Sequence, residues 1–432
     1  MENNISWAKE AVFYHIYPIG AFGCDRENNR GEVRHNILKV MDYIPHLKDM
    51  GITAVYFGPL WESGTHGYDT HDYYNLDRRL GDNADFKKVC DALHKEGIRI
   101  VLDGVFNHIG RGHVAFEEVK ANRENTPYKD WISGINFGGN NWHNDGFCYD
   151  TWAGAEELVK LNLYNPEVRK HLLDAIEMWI DEFDIDGLRL DAADCIQKDF
   201  FKELRYFVKT KKNDFWLMGE IIHGDYNMWA NDEMLDTVTN YECWKGIYSS
   251  HNDKSYFEIT SAMKRQWGQG GIYQRTHLYN FIDNHDVNRI YSLLRDKENI
   301  YPVYTLLFTM PGIPSIYYGS EWAVEGEKNK GDVGDYPLRP EIVPSEMKDL
   351  EPSLIKHIKT LSEIKRQNPC LSYGVYEEVQ VRHETLVFAR SFNDEFMLTA
   401  LNCTEKEMPL EFDYRGKHYS IVLEPHGSKV FN

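Results

Sequence analysis

Four short segments end an apolar, strand-like run on a carboxylate or beside one. They read Asp103-Gly-Val-Phe-Asn-His108, Gly187-Leu-Arg-Leu-Asp191, Leu217-Met-Gly-Glu220 and Phe281-Ile-Asp-Asn-His-Asp286. The apolar runs that feed them are 98–102, 185–190, 215–218 and 277–282. Asp, Glu, His and Arg gathered in this way can donate and take protons, and a carboxylate among them can attack as a nucleophile. A single Asp after a strand also caps the helix that follows. The argument therefore rests on the four clusters together. A parallel α/β barrel carries its chemistry at the C-terminal ends of its strands, so four strand-end clusters imply one site assembled from distant parts of the chain.

The elements that must position these residues alternate along the sequence. Candidate strands fall at 12–17, 54–57, 98–103, 187–191, 215–220, 235–238, 278–282 and 315–318. That is the number a closed (β/α)8 barrel requires. Amphipathic stretches at 83–96, 166–183 and 198–209 lie between them, and Asn165-Pro166 has the form of a helix start. One stretch, about 109–155, breaks the rhythm: it is rich in Gly, Asn, Trp and Tyr and lacks long periodicity. A structureless loop of that length is unusual in a compact domain. After a helical stretch at 352–367 come short strands at 378–383, 386–391, 396–402 and 418–423, the pattern of a small antiparallel β-domain. The expected organisation is a TIM barrel from 1–108 and 156–370, an inserted domain at 109–155 and a C-terminal β-sandwich at 371–432.

Composition narrows the function classes. The chain has 432 residues, 42% of them hydrophobic, which suffices for a large core and more than one domain. A formal charge of −20 argues against nucleic acid or an anionic membrane as partner and suits a neutral substrate. Seven scattered Cys without a CxxC pair favour free thiols and a cytoplasmic setting. The first residues show neither a basic nor an apolar signal segment, and no run reaches membrane-spanning length.

The four segments, in order, resemble the signature regions of the α-amylase superfamily of retaining glycoside hydrolases. Gly51-Ile-Thr-Ala-Val-Tyr-Phe-Gly-Pro59 is similar to that family's second barrel strand. Leu158-Val-Lys-Leu-Asn-Leu-Tyr-Asn-Pro-Glu-Val168 is similar to a region of the neopullulanase and cyclomaltodextrinase branch. The resemblance covers roughly residues 11–340 and implies that 109–155 is the family's small domain B. It also implies roles. Asp191 would be the nucleophile, Glu220 the acid/base and Asp286 a third acid that holds sugar hydroxyls. Arg189, two residues before Asp191 on one strand face, would favour its ionised form. The apolar neighbours of Glu220 (Met218, Ile221, Ile222) would suit an acid that keeps its proton. His108 and His285 would bond hydroxyls of the same glucose, Tyr68 would be the aromatic platform beneath it, and Asp335 and Arg339 would contact the next glucose. Asp103 would orient Arg189, and Trp152 would stack on substrate from domain B.

In many relatives the residue equivalent to Asn107 binds a structural calcium with domain B acids, here Asp145 and Asp150. No compact Asp/Asn-rich calcium loop follows, and Gly20-Ala-Phe-Gly-Cys-Asp-Arg26 departs from the calcium-binding form. No metal ligand and no required cofactor are therefore expected. Asp194 and Cys195 stand where endo-amylases place a Lys-His pair, Ile222 replaces the branch's Trp, and Leu158-Val replaces its Met-Pro. The resemblance thus implies retaining hydrolysis of α-1,4-linked malto-oligosaccharides, with cyclodextrins a weaker expectation. A transglycosylase of the same superfamily is the alternative. A non-catalytic glucan-binding protein is more remote, since all three acids are present.

Overall fold

The protein is described from a computed structural model, over residues 6–329, 334–347 and 349–432. Eight parallel strands form the central sheet: β1 (Phe13–Ile16), β2 (Ala54–Phe57), β3 (Arg99–Gly104), β4 (Gly187–Leu190), β5 (Trp216–Gly219), β6 (Thr237–Val238), β7 (Tyr279–Phe281) and β8 (Ile313–Tyr317). Neighbours pair in sequence order, and β8 pairs with β1. A parallel bridge between Thr239 and Tyr279 joins β6 to β7 and closes the ring. This is the (β/α)8 barrel that the strand spacing predicts.

Strand alternation sends side chains into two cores. Phe13, Ala54, Val101, Trp216, Met218, Tyr279 and Phe281 fill the barrel interior. Tyr14, Val55, Ile100, Leu102, Leu188 and Leu217 face outward and are covered by helices such as Asn83–Lys95 and Pro166–Phe183. Both helices begin as the sequence indicates. Asp82 and Asn165 accept from Asp85 N and Glu167 N, and Pro166 takes the first helical position.

After β3 the chain leaves the barrel. Strand His108–Gly110 pairs with Ala155–Lys160, which pairs with Thr151–Trp152. This small sheet roofs one side of the barrel mouth. The C-terminal part holds a four-stranded antiparallel sheet (Val375–Val381, Thr385–Phe392, Glu395–Asn402, Ser428–Phe431) and a hairpin (Met408–Tyr414, Lys417–Leu423). Val387, Leu398, Leu410, Phe412 and Leu423 share one core between them.

Candidate active site

The strand ends converge on a cleft of about 800 Å³. Tyr68 and His66 reach it from the segment after β2, His108 from the end of the β3 segment, Asp191 from β4 and Glu220 from β5. Tyr241 and Trp244 come from the segment after β6, Asp286 from that after β7, and Asp335 and Arg339 from that after β8. Trp152, Asp194, Cys195 and Ile222 line it as well. Arg189 and His285 do not line this cleft. They lie behind its floor, 3% and 2% exposed.

Arg189 organises the floor. Its Nη1 donates to Asp191 Oδ1 at 2.8 Å and to both carboxylate oxygens of Asp103 at 2.9 and 3.0 Å. Its Nη2 lies 2.9 Å from Glu220 Oε2. One guanidinium thus bridges Asp191 and Glu220. Asp103 also accepts from the hydroxyls of Tyr56 and Tyr68, and so orients Arg189 as expected.

Backbone geometry seats the acids. Ala192, directly after Asp191, adopts the left-handed conformation (φ 44°, ψ 44°), which costs a non-glycine residue energy. The turn aims Ala192 N at Glu220 Oε2, 3.1 Å away. Gly219 precedes Glu220, and a Cβ there would meet Leu235 Cδ1 at 2.5 Å and Ala193 Cβ at 3.0 Å. The absent side chain lets β5 close against the β4 turn.

Glu220 is surrounded differently from what its sequence neighbours suggest. Met218 points into the barrel core, Ile221 into the outer core, and Ile222 is half exposed at the rim. The immediate partners of Glu220 are polar: Arg189, Ala192 N and the Tyr241 hydroxyl, which donates to Oε1 at 3.3 Å and accepts from Asn284. Burial pushes the Asp191 carboxyl well up. Arg189 pulls it down, while Glu220, Asp103 and Asp286 push it up again.

Asp286 is held differently. Burial opposes its ionisation, but His285, Arg339 and Arg189 hold the carboxyl well below the usual range. Arg339 Nη2 donates to Asp286 Oδ1 at 3.0 Å and Asp335 Oδ2 at 3.3 Å. Its Nε donates to His285 O, and its guanidinium lies 4.5 Å over the Tyr17 ring. His285 Nε2 is 2.9 Å from Asp286 Oδ2 and is also bound to the Tyr68 hydroxyl. The Asp335–Arg339 pair is therefore part of the support for Asp286 rather than a surface ion pair. His108 Nε2 is buried without a hydrogen-bond partner, 3.9 Å from Asp191 Oδ2. Burial lowers this imidazole to about 3, so it is neutral and able to exchange a hydrogen bond with a hydroxyl.

Tyr241, Trp244 and Tyr17 escaped sequence reasoning. The available signal was position: Tyr241 lies three residues beyond the end of β6, where barrel chemistry is found. The candidate calcium ligands are otherwise engaged. Asp145 pairs with Arg111 at 2.8 Å and bonds Asn141, Asp150 bonds Ser133, and the Asn107 side chain bonds the His108 ring. Of the three, Asp145 already has a guanidinium as its counter-charge.

The comparisons with known proteins agree with this geometry. The family model described as the α-amylase catalytic domain matches residues 25–359. A maltogenic α-amylase from Bacillus acidopullulyticus is 30% identical over 94% of this chain and 72% of its own length. A cyclomaltodextrinase from a Bacillus species is 32% identical over 76% of this chain, and the match spans 61% of that relative's length. Among solved structures, the ligand-free cyclic α-maltosyl-(1→6)-maltose hydrolase of Arthrobacter globiformis superposes with a TM-score of 0.86 at 26% identity, covering 99% of both chains. The order of the strand-end acids, the closed barrel and these matches lead to one conclusion: the chain belongs to the α-amylase family of glycoside hydrolases.

Proposed function

We propose that this enzyme hydrolyses α-1,4-glucosidic bonds in short malto-oligosaccharides, linear or cyclic, with retention of anomeric configuration. The observation that carries the reading is the single Arg189 guanidinium bridging Asp191 and Glu220. That arrangement suits a carboxylate pair about 5–5.5 Å apart, as direct attack requires, better than one spread to leave room for water. Asp191 attacks the anomeric carbon. Glu220 gives a proton to the leaving glycosidic oxygen and then takes one from the water that releases the product. Asp286, kept anionic by Arg339 and His285, accepts hydrogen bonds from ring hydroxyls and stabilises the positive charge of the transition state. Neutral His108 bonds a further hydroxyl, and Tyr68 lies beneath the same glucose. The names of similar proteins support a maltodextrin or cyclodextrin substrate.

The reading needs no cofactor and no calcium, because Arg111 already supplies the positive charge beside Asp145. It is also consistent with a cytoplasmic enzyme. No helix among the described residues is long and apolar enough to cross a membrane, and a Bacillus subtilis relative, 28% identical over 92% of this chain, is named an intracellular maltogenic amylase. The test is product analysis on maltotriose and maltohexaose with wild type and Asp191→Asn. Glucose and maltose should form and longer oligomers should not, and Asp191→Asn should be inactive yet folded. Chain lengthening would favour the transglycosylase, and more than a few per cent of activity in Asp191→Asn would rule out Asp191 as the nucleophile.

A further inference from the structure

The cleft continues past Glu220. A second groove of about 570 Å³ opens from it, and Ile222, His223, Tyr241 and Trp244 line both. Asp286, Asp335 and Arg339 line the cleft but not the groove. The shared residues stand on the side of the acid/base. Ile222 and His223 closely follow Glu220 in sequence, and the Tyr241 hydroxyl donates to its Oε1 at 3.3 Å. Because Glu220 protonates the leaving oxygen, the groove extends the path of the leaving-group chain. The cleft alone, about 800 Å³, has the size of a site for one small ligand, roughly 300–1,000 Å³. A chain that outgrows the cleft on that side enters the groove.

Two helices, Tyr241–Asn252 and Phe257–Trp267, carry most of the groove. They pack closely at Gly246, where a Cβ would lie 3.1 Å from Ile259 Cδ1 and 3.2 Å from its Cα. Four side chains that carry full charge line the groove, and they cancel in pairs across the two helices. Arg265 Nε donates to Glu242 Oε1 at 3.0 Å. Lys245 pairs with Glu258, which also accepts from Ser249 Oγ at 2.6 Å. The side chains of Lys245, Glu258 and Arg265 are 61%, 45% and 48% exposed, so a ligand in the groove reaches them. Half-buried Trp244 and half-exposed Ile222 supply apolar surface where groove and cleft meet. Charges already paired offer little to an ionic ligand. Aromatic surface beside carboxylate, ammonium and guanidinium groups suits a neutral sugar ring, which has an apolar face and a rim of hydroxyls.

We propose that this groove binds the leaving-group part of an α-glucan chain beyond the sugars held in the cleft, with Trp244 as the platform at its entrance and Glu242, Lys245 and Arg265 bonding sugar hydroxyls. The inference rests on the hydrolysis of α-1,4-glucans proposed above and adds the direction in which the substrate extends. Ser261, exposed on the helix Phe257–Trp267, lines the groove and not the cleft, so Ser261→Trp fills the groove without touching the catalytic acids. The test cleaves maltohexaose labelled at its reducing end, at initial rates, and sizes the labelled fragments. The wild type should release mainly labelled maltotriose or longer. Its kcat/KM should be about tenfold higher than on maltotriose, the effect of one further sugar that is stacked and hydrogen-bonded. Ser261→Trp should hydrolyse maltotriose as the wild type does, release mainly labelled glucose and maltose from maltohexaose, and lose that advantage. Arg265→Ala, which removes one exposed partner and adds no bulk, should shift the fragments in the same direction even where Ser261→Trp fails to fold. Mainly labelled glucose and maltose from the wild type, or fragments unchanged in a folded variant, would overturn the inference and leave the hydrolase reading intact. A wild type that cleaves neither substrate would overturn both.

Discussion

Replacing Arg339 by Met should uncouple Asp286 from its support while leaving the cleft lining otherwise similar in volume. The Arg339 side chain is 9% exposed and donates to Asp286 Oδ1 at 3.0 Å, so solvent cannot take its place. A buried hydrogen bond to a charged group contributes ~2 kcal/mol, which corresponds to about a 30-fold loss in kcat/KM. The pH profile separates this cause from simple misfolding. In the wild type Asp286 is held below the usual carboxylate range, with Arg339 one of the causes after His285. A carboxyl whose pKa is depressed stays ionised as the pH falls, until its own pKa is reached. Without Arg339 that pKa rises, so the acid limb of kcat/KM should move upward, towards the ordinary Asp value of ~3.9. The assay is initial-rate kinetics on maltotriose from pH 2.5 to 8, with circular dichroism across that range to confirm folding. A folded variant within twofold of wild type, or one that loses rate without moving the acid limb, would refute the reasoning.

Two further outcomes follow from other parts of the structure. Tyr241→Phe removes the phenol that donates to Glu220 Oε1 at 3.3 Å, and should lower kcat about tenfold on maltotriose with little change in KM; an unchanged kcat would show that the contact does not position the acid. Asp186, 2% exposed on its side chain, accepts from Ile100 N at 2.9 Å and from Arg99 at 2.6 Å and lies 2.8 Å from Lys212. Burial opposes its charge, but His94, Lys212 and Arg99 hold its carboxyl below the usual range. Its contribution to stability is therefore complete above the unfolded-state pKa of ~3.9 and is lost as pH falls through the lower folded-state value. Asp186→Asn should cost ~3 kcal/mol at pH 7 by denaturant unfolding, with the gap to wild type narrowing in acid; a gap that is absent at pH 7 or constant down to pH 3 would contradict this.

Much of the fold was legible because barrel strands carry two kinds of signal at once. An apolar run marks each strand, and a polar cluster marks its C-terminal end. Residues 54–57 form the strand at the bounds read from sequence, and the other seven shift by two residues or fewer at either end. The three acids were legible because each sits in such a cluster. What the sequence hid is the support beneath them. Arg339 and Asp335 showed only a D-x-x-x-R spacing, which does not reveal that the guanidinium folds back under Asp286 and over Tyr17, 322 residues away in sequence. The surroundings of Glu220 were misread for a plain geometric reason. Ile221, adjacent on the chain, points to the opposite face, Met218, two residues earlier, lies deeper in the barrel interior, and the partners of Glu220 come from β4 and the segment after β6 instead. Tyr241 and Trp244 belong to no short motif, and only closure of the ring brings them to the cleft.

The proposed mechanism has Asp191 attack the sugar directly, with Glu220 bound to the same guanidinium as its acid. Its sharpest test is the anomeric configuration of the first product, read by proton NMR during maltohexaose hydrolysis at rates faster than mutarotation. Double displacement requires the new reducing end to appear as the α-anomer and only later to equilibrate. A β-anomer formed first would mean single displacement by water, and would contradict the roles of Asp191 as nucleophile and Glu220 as acid/base.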